Sequence, residues 1–408
     1  MRSFLLLVLI LALSFSLVSC ARAADASDAV DNYDSLAGLC ENYGFSLGSV
    51  INYNQLSDPE YLKLMAKHFN SLTAGNEFKA YSLLNQAACQ ASPDGMPVMN
   101  FFQADRIITW AQQNGIRMRG HVLVWDAYMP AWFLREGYQN FKPFVDAETM
   151  KLRLQSYIEQ VITHFEENYP GVIYAWDVVN EAIGDSSADW DAADARHIRT
   201  TRGGTSNVFR DVLGNDYVAL SFLYARDTVE KLGADIKLYY NDYNMFQAGK
   251  RQSACELVRS INSFAADENG GYRKLVDGVG MQGYIGGYGT QAGCMSSADI
   301  AAIKTSIETY ASLGVEVQIT EMAVRCYESS EELMLKHGQF YQDLFKMLCA
   351  LNAGEEKPLT NVSIWGPTDI NVPQSDYSWK QFSPYGGLFD LDYGVKPAFQ
   401  MVYDFLKQ

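Results

Sequence analysis

Two glutamates close apolar runs that otherwise read as core. Glu181 follows VIYAWDVVN at 172–180, and Glu321 sits in VEVQITEM at 315–322. A carboxylate buried without a partner is expensive, so a Glu at the end of an apolar strand marks a point where the chain leaves the core for a cleft. Two carboxyls flanking a cleft can divide a reaction between them. One stays protonated because its surroundings raise its pKa, and the other stays ionised and attacks an anomeric carbon. A single Glu is more often half of a structural ion pair. Two at strand ends point to glycoside hydrolysis.

Rival chemistries lack their residues. Metal-assisted hydrolysis usually needs a His cluster, and the five His, at 68, 121, 164, 197 and 337, show no ligand spacing. No metal and no cofactor are called for. No Gly-x-Ser-x-Gly elbow supports a Ser-His-Asp triad, and no Gly-rich phosphate turn follows the first strand. A net charge of −16 with no basic stripe argues against nucleic acid as a partner. Tyr and Phe are abundant; they pack cores, and they also line sites for sugars.

The chain must bring the two glutamates together. Strands are expected at 45–51, 71–75, 117–125, 172–180, 236–242, 276–284, 315–322 and 361–367. Amphipathic helical stretches lie between them, at 59–69, 102–115, 150–168, 217–233, 297–314 and 331–351. Eight strands alternating with helices imply parallel βα units and one closed (β/α)8 TIM barrel, an α/β fold, rather than an open sheet or two domains. Such barrels place their sites at the C-terminal ends of the strands. Polar or aromatic residues cluster there: Asn76 and Lys79, His121, Asn180 and Glu181, Asn241 and Asp242, Gln282 and Tyr284, Glu321, and Trp365.

Residues 1–20 read as a signal peptide, with Arg2 ahead of an apolar run too short for a comfortable membrane span. Leu17 to Cys20 resembles a lipobox, which would make Cys20 a lipid anchor, while Ala21-Arg22-Ala23 fits ordinary cleavage. Either route exports the protein, and the anchored form is preferred. Residues 21–35 read as a linker and 36–408 as the catalytic domain. Six cysteines remain, which permits disulfides without choosing a pairing; buried thiols with one or two bridges are expected. A monomer is expected.

At these residues the chain resembles the family 10 glycoside hydrolases, the endo-1,4-β-xylanase family. The segments FNSLTAGNEFKAYSLL, RGHVLVWDAYMPAWFLREGY, WDVVNEA, LYYNDYN, GVGMQGY, VQITEM, VSIWGPTD and GLFDLDYGVKPAF follow in family order. The resemblance implies a retaining endo-xylanase acting on xylan. Glu321 would be the nucleophile and Glu181 the acid/base, with their carboxyls roughly 5–5.5 Å apart. Asn180 would bond the sugar 2-hydroxyl, and His121, Lys79 and Asn76 would hold hydroxyls on the non-reducing side. Trp125 and Trp365 would wall the cleft, with Trp379 as a further wall. Gln282 would bond near the nucleophile, and Asp177 would orient its neighbours or form a structural ion pair.

Four positions depart from the family pattern. Gly75 stands for a Glu and Tyr128 for a Gln, both at the second sugar. Asp126 stands for a His after Trp125, and Tyr284 for the His beside the nucleophile. These departures keep two alternatives open: an enzyme for xylo-oligosaccharides or another β-glycan, and a barrel that binds polysaccharide without cleaving it.

Overall fold

Runs such as SLGSVI, RMRGHVLV and IYAWDVVN are buried along nearly their whole length, as strands covered by helices on one side and a barrel interior on the other must be. The computed structural model describes residues 27–285, 295–371 and 383–408. Its strands are β1 (Ser46–Ile51), β2 (Ser71–Ala74), β3 (Arg117–Val124), β4 (Ile173–Asn180), β5 (Lys237–Asp242), β6 (Gly278–Met281), β7 (Glu316–Val324) and β8 (Leu359–Ile364). Every neighbouring pair is parallel, and β8 closes on β1 with Asn361 opposite Ser46. The expected (β/α)8 barrel is therefore present.

The outer ring is α1 (Pro59–His68), α2 (Phe102–Gln113), α3 (Ala147–Asn168), α4 (Tyr217–Leu232), α5 (Ala248–Asn262), α6 (Ser297–Ala311), α7 (Glu331–Leu351) and α8 (Pro397–Leu406). Local chemistry sets several starts. The Asp58 carboxylate accepts from the N–H groups of Glu60 and Tyr61, and Asp146 accepts from that of Thr149, so donors that a helix start leaves open are satisfied. The sequence reading did not single out α5 and α8. The first opens on Ala-Gly-Lys-Arg and the second is only ten residues long.

The barrel interior is partly polar. Arg119 Nε donates to Gln318 Oε1 at 2.6 Å, and Gln318 Nε2 donates to the Tyr239 hydroxyl and Thr360 Oγ1. This network ties β3, β5, β7 and β8 together beneath the mouth. Around it, Gly120 on β3 faces Trp176 on β4, a fully buried indole that also meets Phe78 and Phe165.

The stretch read as a linker is a correction from Ser27 onward. A short helix, Ser27–Asp31, buries Ala29, whose carbonyl bonds to His68 Nε2 at 2.9 Å. The Tyr33 hydroxyl donates to Gln400 Oε1, and Lys407 pairs with Asp34. One buried alanine and a pair of terminal contacts hold a segment whose small, acidic composition carries no periodic signal. Residues 1–26, with Cys20, lie outside the described residues, as does Trp379. Cys40, Cys89, Cys255, Cys326 and Cys349 are buried free thiols, so the expected bridges do not form among these five. Among the described residues, no helix is long and apolar enough to cross a membrane.

The Gly120–Trp176 contact gives a test of the packing. A Cβ on Gly120 would collide with the indole ring. Gly120→Ala should destabilise the barrel by about 1–3 kcal/mol, the usual cost of overpacking, read as a lower thermal midpoint beside the parent.

Candidate active site

Glu181 is the first residue beyond β4, and its backbone turns sharply there. Its φ is +55°, a left-handed conformation that a β-carbon makes unfavourable. Three hydrogen bonds hold the turn. The Glu181 N–H donates to the Asn241 carbonyl at 2.9 Å, and the Glu181 carbonyl accepts from Arg199 Nε at 3.2 Å and Arg202 Nη2 at 3.1 Å. Glu321 lies within β7, where the register against β8 shifts between Ile319 and Met322. Beside it Tyr284–Ile285 forms a short extra pairing with Ala323 and Val324, which sets Tyr284 next to Glu321.

A ladder of amides links the two carboxyls. Thr320 Oγ1 donates to Asn241 Oδ1, which fixes that amide's orientation. Asn241 Nδ2 then donates to Asn180 Oδ1 at 2.9 Å and to Glu321 Oε1 at 3.3 Å. Gln282 Nε2 donates to Asn180 Oδ1 and to Glu181 Oε1, both at 3.2 Å. Asn180 thus accepts twice, and its own Nδ2 has no hydrogen-bond partner among the described residues. A buried donor in that condition is costly unless a ligand atom takes it. Gln282, expected to bond near the nucleophile, bonds Glu181 directly and reaches Glu321 only through Asn180 and Asn241. Its backbone N–H pairs with the Asp242 carbonyl of β5 at 2.9 Å.

A second network lies one layer down. Asp177 is fully buried and accepts from Arg119 Nη2 at 2.5 Å, Arg119 Nη1 at 3.2 Å and His121 Nδ1 at 2.8 Å. Desolvation alone would raise its pKa, but Arg119 and His121 outweigh it and hold the carboxyl below its usual value. An ionised carboxylate only accepts, so His121 carries its proton on Nδ1. Asp177 therefore fills both expected roles, ion-pair partner and orienter.

The cleft is lined by Asn76, Lys79, His121, Trp125, Trp365 and both glutamates, together with Val50, Asn52, Gly75 and Tyr128. The Lys79 ammonium is buried, reaches Asn76 Oδ1 at 3.4 Å and lies 4.6 Å from the Tyr128 ring centre and 5.2 Å from that of Trp125. Burial lowers its pKa, partly offset by Glu321 and Glu181. A Cβ on Gly75 would collide with Asn52 Oδ1, so the Asn52 side chain fills the space beside the glycine. Asn52 Oδ1 in turn accepts from Asn76 Nδ2 at 3.1 Å.

The two carboxyls meet different surroundings. Glu181 is buried, and desolvation pushes its pKa up to about 7; Arg202 pulls down, while Asp242 and Glu321 push up. Glu321 accepts from Asn241 and from the Tyr284 hydroxyl, two donors aimed at the charged form. That asymmetry is what acid/base and nucleophile need. Arg202 and Asn52 were not among the residues read from the sequence, and Asn241 was read only as a strand-end polar residue with no assigned role. Arg202 comes from a loop hairpin that no strand pattern marks. Its one trace was Asp126, which stands where the family pattern has a His after Trp125. Among the described residues no group of His, Cys, Asp and Glu could hold a metal.

Residues 35–405 match the model of glycosyl hydrolase family 10. A putative endo-1,4-β-xylanase of Caldicellulosiruptor saccharolyticus is 37% identical over 81% of this chain and 96% of its own length. Endo-1,4-β-xylanase B of Butyrivibrio fibrisolvens is 32% identical over 80% of this chain, which spans only 46% of that protein. Among solved structures, endo-1,4-β-D-xylanase 10B modules of Clostridium thermocellum in complex with xylohexaose align with a TM-score of 0.76 and 29% identity, over 94% of this chain and 68% of that one. An intracellular xylanase of Thermoanaerobacterium saccharolyticum aligns with a TM-score of 0.71 and 29% identity, over 91% of this chain and 99% of that one. With the barrel and its strand-end carboxyls in place, the chain belongs to glycosyl hydrolase family 10.

Proposed function

We propose that this protein is a retaining endo-1,4-β-xylanase, with Glu321 as nucleophile and Glu181 as acid/base. The observation that carries the reading is the unequal pair of buried carboxyls: Glu181 is raised to about 7 by burial, while Glu321 accepts hydrogen bonds from Asn241 and Tyr284. In the first step Glu321 attacks the anomeric carbon, the glycosidic C–O bond breaks, and Glu181 gives its proton to the leaving oxygen. In the second step Glu181 takes a proton from water, which attacks the same carbon and frees Glu321. The unpartnered Nδ2 of Asn180 suits the sugar 2-hydroxyl, a contact that strengthens as charge develops. His121 and Lys79 supply donors, and Trp125 and Trp365 supply apolar faces, toward the non-reducing side. Xylanase names among the relatives support xylan as substrate.

The second sugar is where the substrate range would differ. Asn52 beside Gly75 offers a neutral amide, and Tyr128, 41% exposed, offers a ring. This favours acceptance of short or substituted xylo-oligosaccharides over a site built around a charged acceptor. We further propose that the protein is exported as a monomer, through residues 1–20, with Cys20 as anchor; fractionation of the native host beside a Cys20→Ala variant tests the anchor.

Glu321→Ala should abolish release of reducing ends from xylan. Glu181→Ala should lower turnover of unactivated xylo-oligosaccharides by about 100- to 10,000-fold, the usual weight of general acid catalysis. A parent-like rate in either variant would reject its assigned role. The acid must be protonated, so kcat/KM should fall as pH rises past about 7, the value burial gives Glu181. Tyr128→Ala should raise KM for xylotriose more than it changes kcat, since it removes binding away from the reacting bond; product analysis on plain and substituted xylans reads the same effect.

A further inference from the structure

The acid/base carboxyl does not sit alone. Arg202 Nη1 pairs with Glu181 Oε2 at 2.9 Å, and its Nη2 also reaches the Glu181 carbonyl at 3.1 Å. The other edge of the same guanidinium grips Asp126, through Nε to Oδ2 at 3.2 Å and Nη2 to Oδ1 at 2.9 Å. Bidentate pairing of this kind fixes orientation as well as charge. Arg202 is delivered by a two-stranded hairpin, Thr201–Arg202 against Thr205–Ser206. The turn residues Gly203 and Gly204 have φ of +56° and +81°, which glycine adopts without strain. Asp126 follows Trp125 at the end of β3, so two separate loops converge on one carboxyl. Asp126 is also one of the four departures from the family pattern, and Arg202 gives it a partner.

We propose that Arg202, clamped by Asp126, is a positioning residue that balances the Glu181 carboxyl between the two protonation states the reaction needs. This rests on the reading of Glu181 as acid/base. The charge count carries the logic. With Glu181 protonated, Arg202 and Asp126 neutralise each other. Once Glu181 has given up its proton, the three groups carry one net negative charge, and the guanidinium faces the new carboxylate. Asp126 keeps that attraction in check, because it shares the cation. An unshared arginine would hold Glu181 ionised and weaken it as an acid; without any arginine, burial would hold it protonated and weaken it as a base. The other groups around Glu181 are Asp242 and Glu321, which disfavour its charge, Lys79, which favours it, Gln282, which donates to Oε1, and Arg199 at its carbonyl, itself paired with Asp185.

The two supports predict opposite displacements. On xylotriose, the alkaline limb of kcat/KM against pH should move up by about one unit or more in Arg202→Gln, because an opposite charge at this distance lowers a carboxyl pKa by about that much. The limb should move down in Asp126→Asn, where Glu181 becomes the only carboxylate on the cation. Arg202→Lys, which keeps the charge without the fork, should fall between parent and Arg202→Gln. On a dinitrophenyl β-xylobioside, whose leaving group needs no proton, the limb should not move in any variant. An unmoved limb on xylotriose in both Arg202→Gln and Asp126→Asn, movement in the same direction, or an equal shift on the aryl substrate would overturn the proposal. Thermal midpoints are read alongside; if Arg202→Gln does not fold, the downward shift of Asp126→Asn decides alone. Glu181→Ala separates this from the underlying reading: full turnover of xylotriose by that variant would remove Glu181 as acid, whatever Arg202 does.

Discussion

Everything at the mouth of this barrel hangs from one buried ion pair. Asp177 has no exposed surface, and it joins Arg119 inside the barrel to His121 at the cleft. Two charges withdrawn from water are expensive, and their attraction offsets the cost only when geometry and extra hydrogen bonds are good. Here they are: Arg119 reaches Asp177 with both terminal nitrogens and Gln318 with its third. Leaving either partner alone would strand an uncompensated charge, which typically costs about 3–5 kcal/mol. Above the pair, the amide ladder draws its members from β4, β5, β7 and the residue that follows β6, so it needs those strands in fixed register.

From that base the site rises by successive constraints. Thr320 fixes Asn241, Asn241 fixes Asn180 and touches Glu321, and Gln282 joins Asn180 to Glu181. None of these bonds depends on a sugar being present. Donors placed before the reaction need no rearrangement as charge develops, which is the main way such sites lower a barrier. The cost appears locally, in the left-handed backbone of Glu181 and the unpartnered amide of Asn180.

Much of this was legible in the residues. All eight strands were, because parallel barrel strands are apolar on both faces and end at polar residues. Asn180 and Glu181 were found at such an end, and His121 and Glu321 in the last few residues of their strands. What the sequence hid was direction and partnership. Gln282, expected near the nucleophile, bonds Glu181 and Asn180, a partnership that strand position alone does not give. Arg202 was invisible, since a loop hairpin has no periodicity. Residues 27–35 looked like a linker because their composition is polar, yet a single buried alanine and a few terminal contacts suffice to dock them. Asn52 was missed because only the empty side of Gly75 reveals it.

That docked segment has a consequence for how the cleft meets a polymer. Residues 27–35 pack against His68, Gln400 and Lys407, and so lie around the N-terminal ends of the strands. The glutamates open at the other end. The described chain therefore joins the barrel at the pole opposite its catalytic carboxyls, and the N-terminal segment leaves the mouth uncovered. A long polymer strand can therefore cross the mouth without meeting residues 27–35.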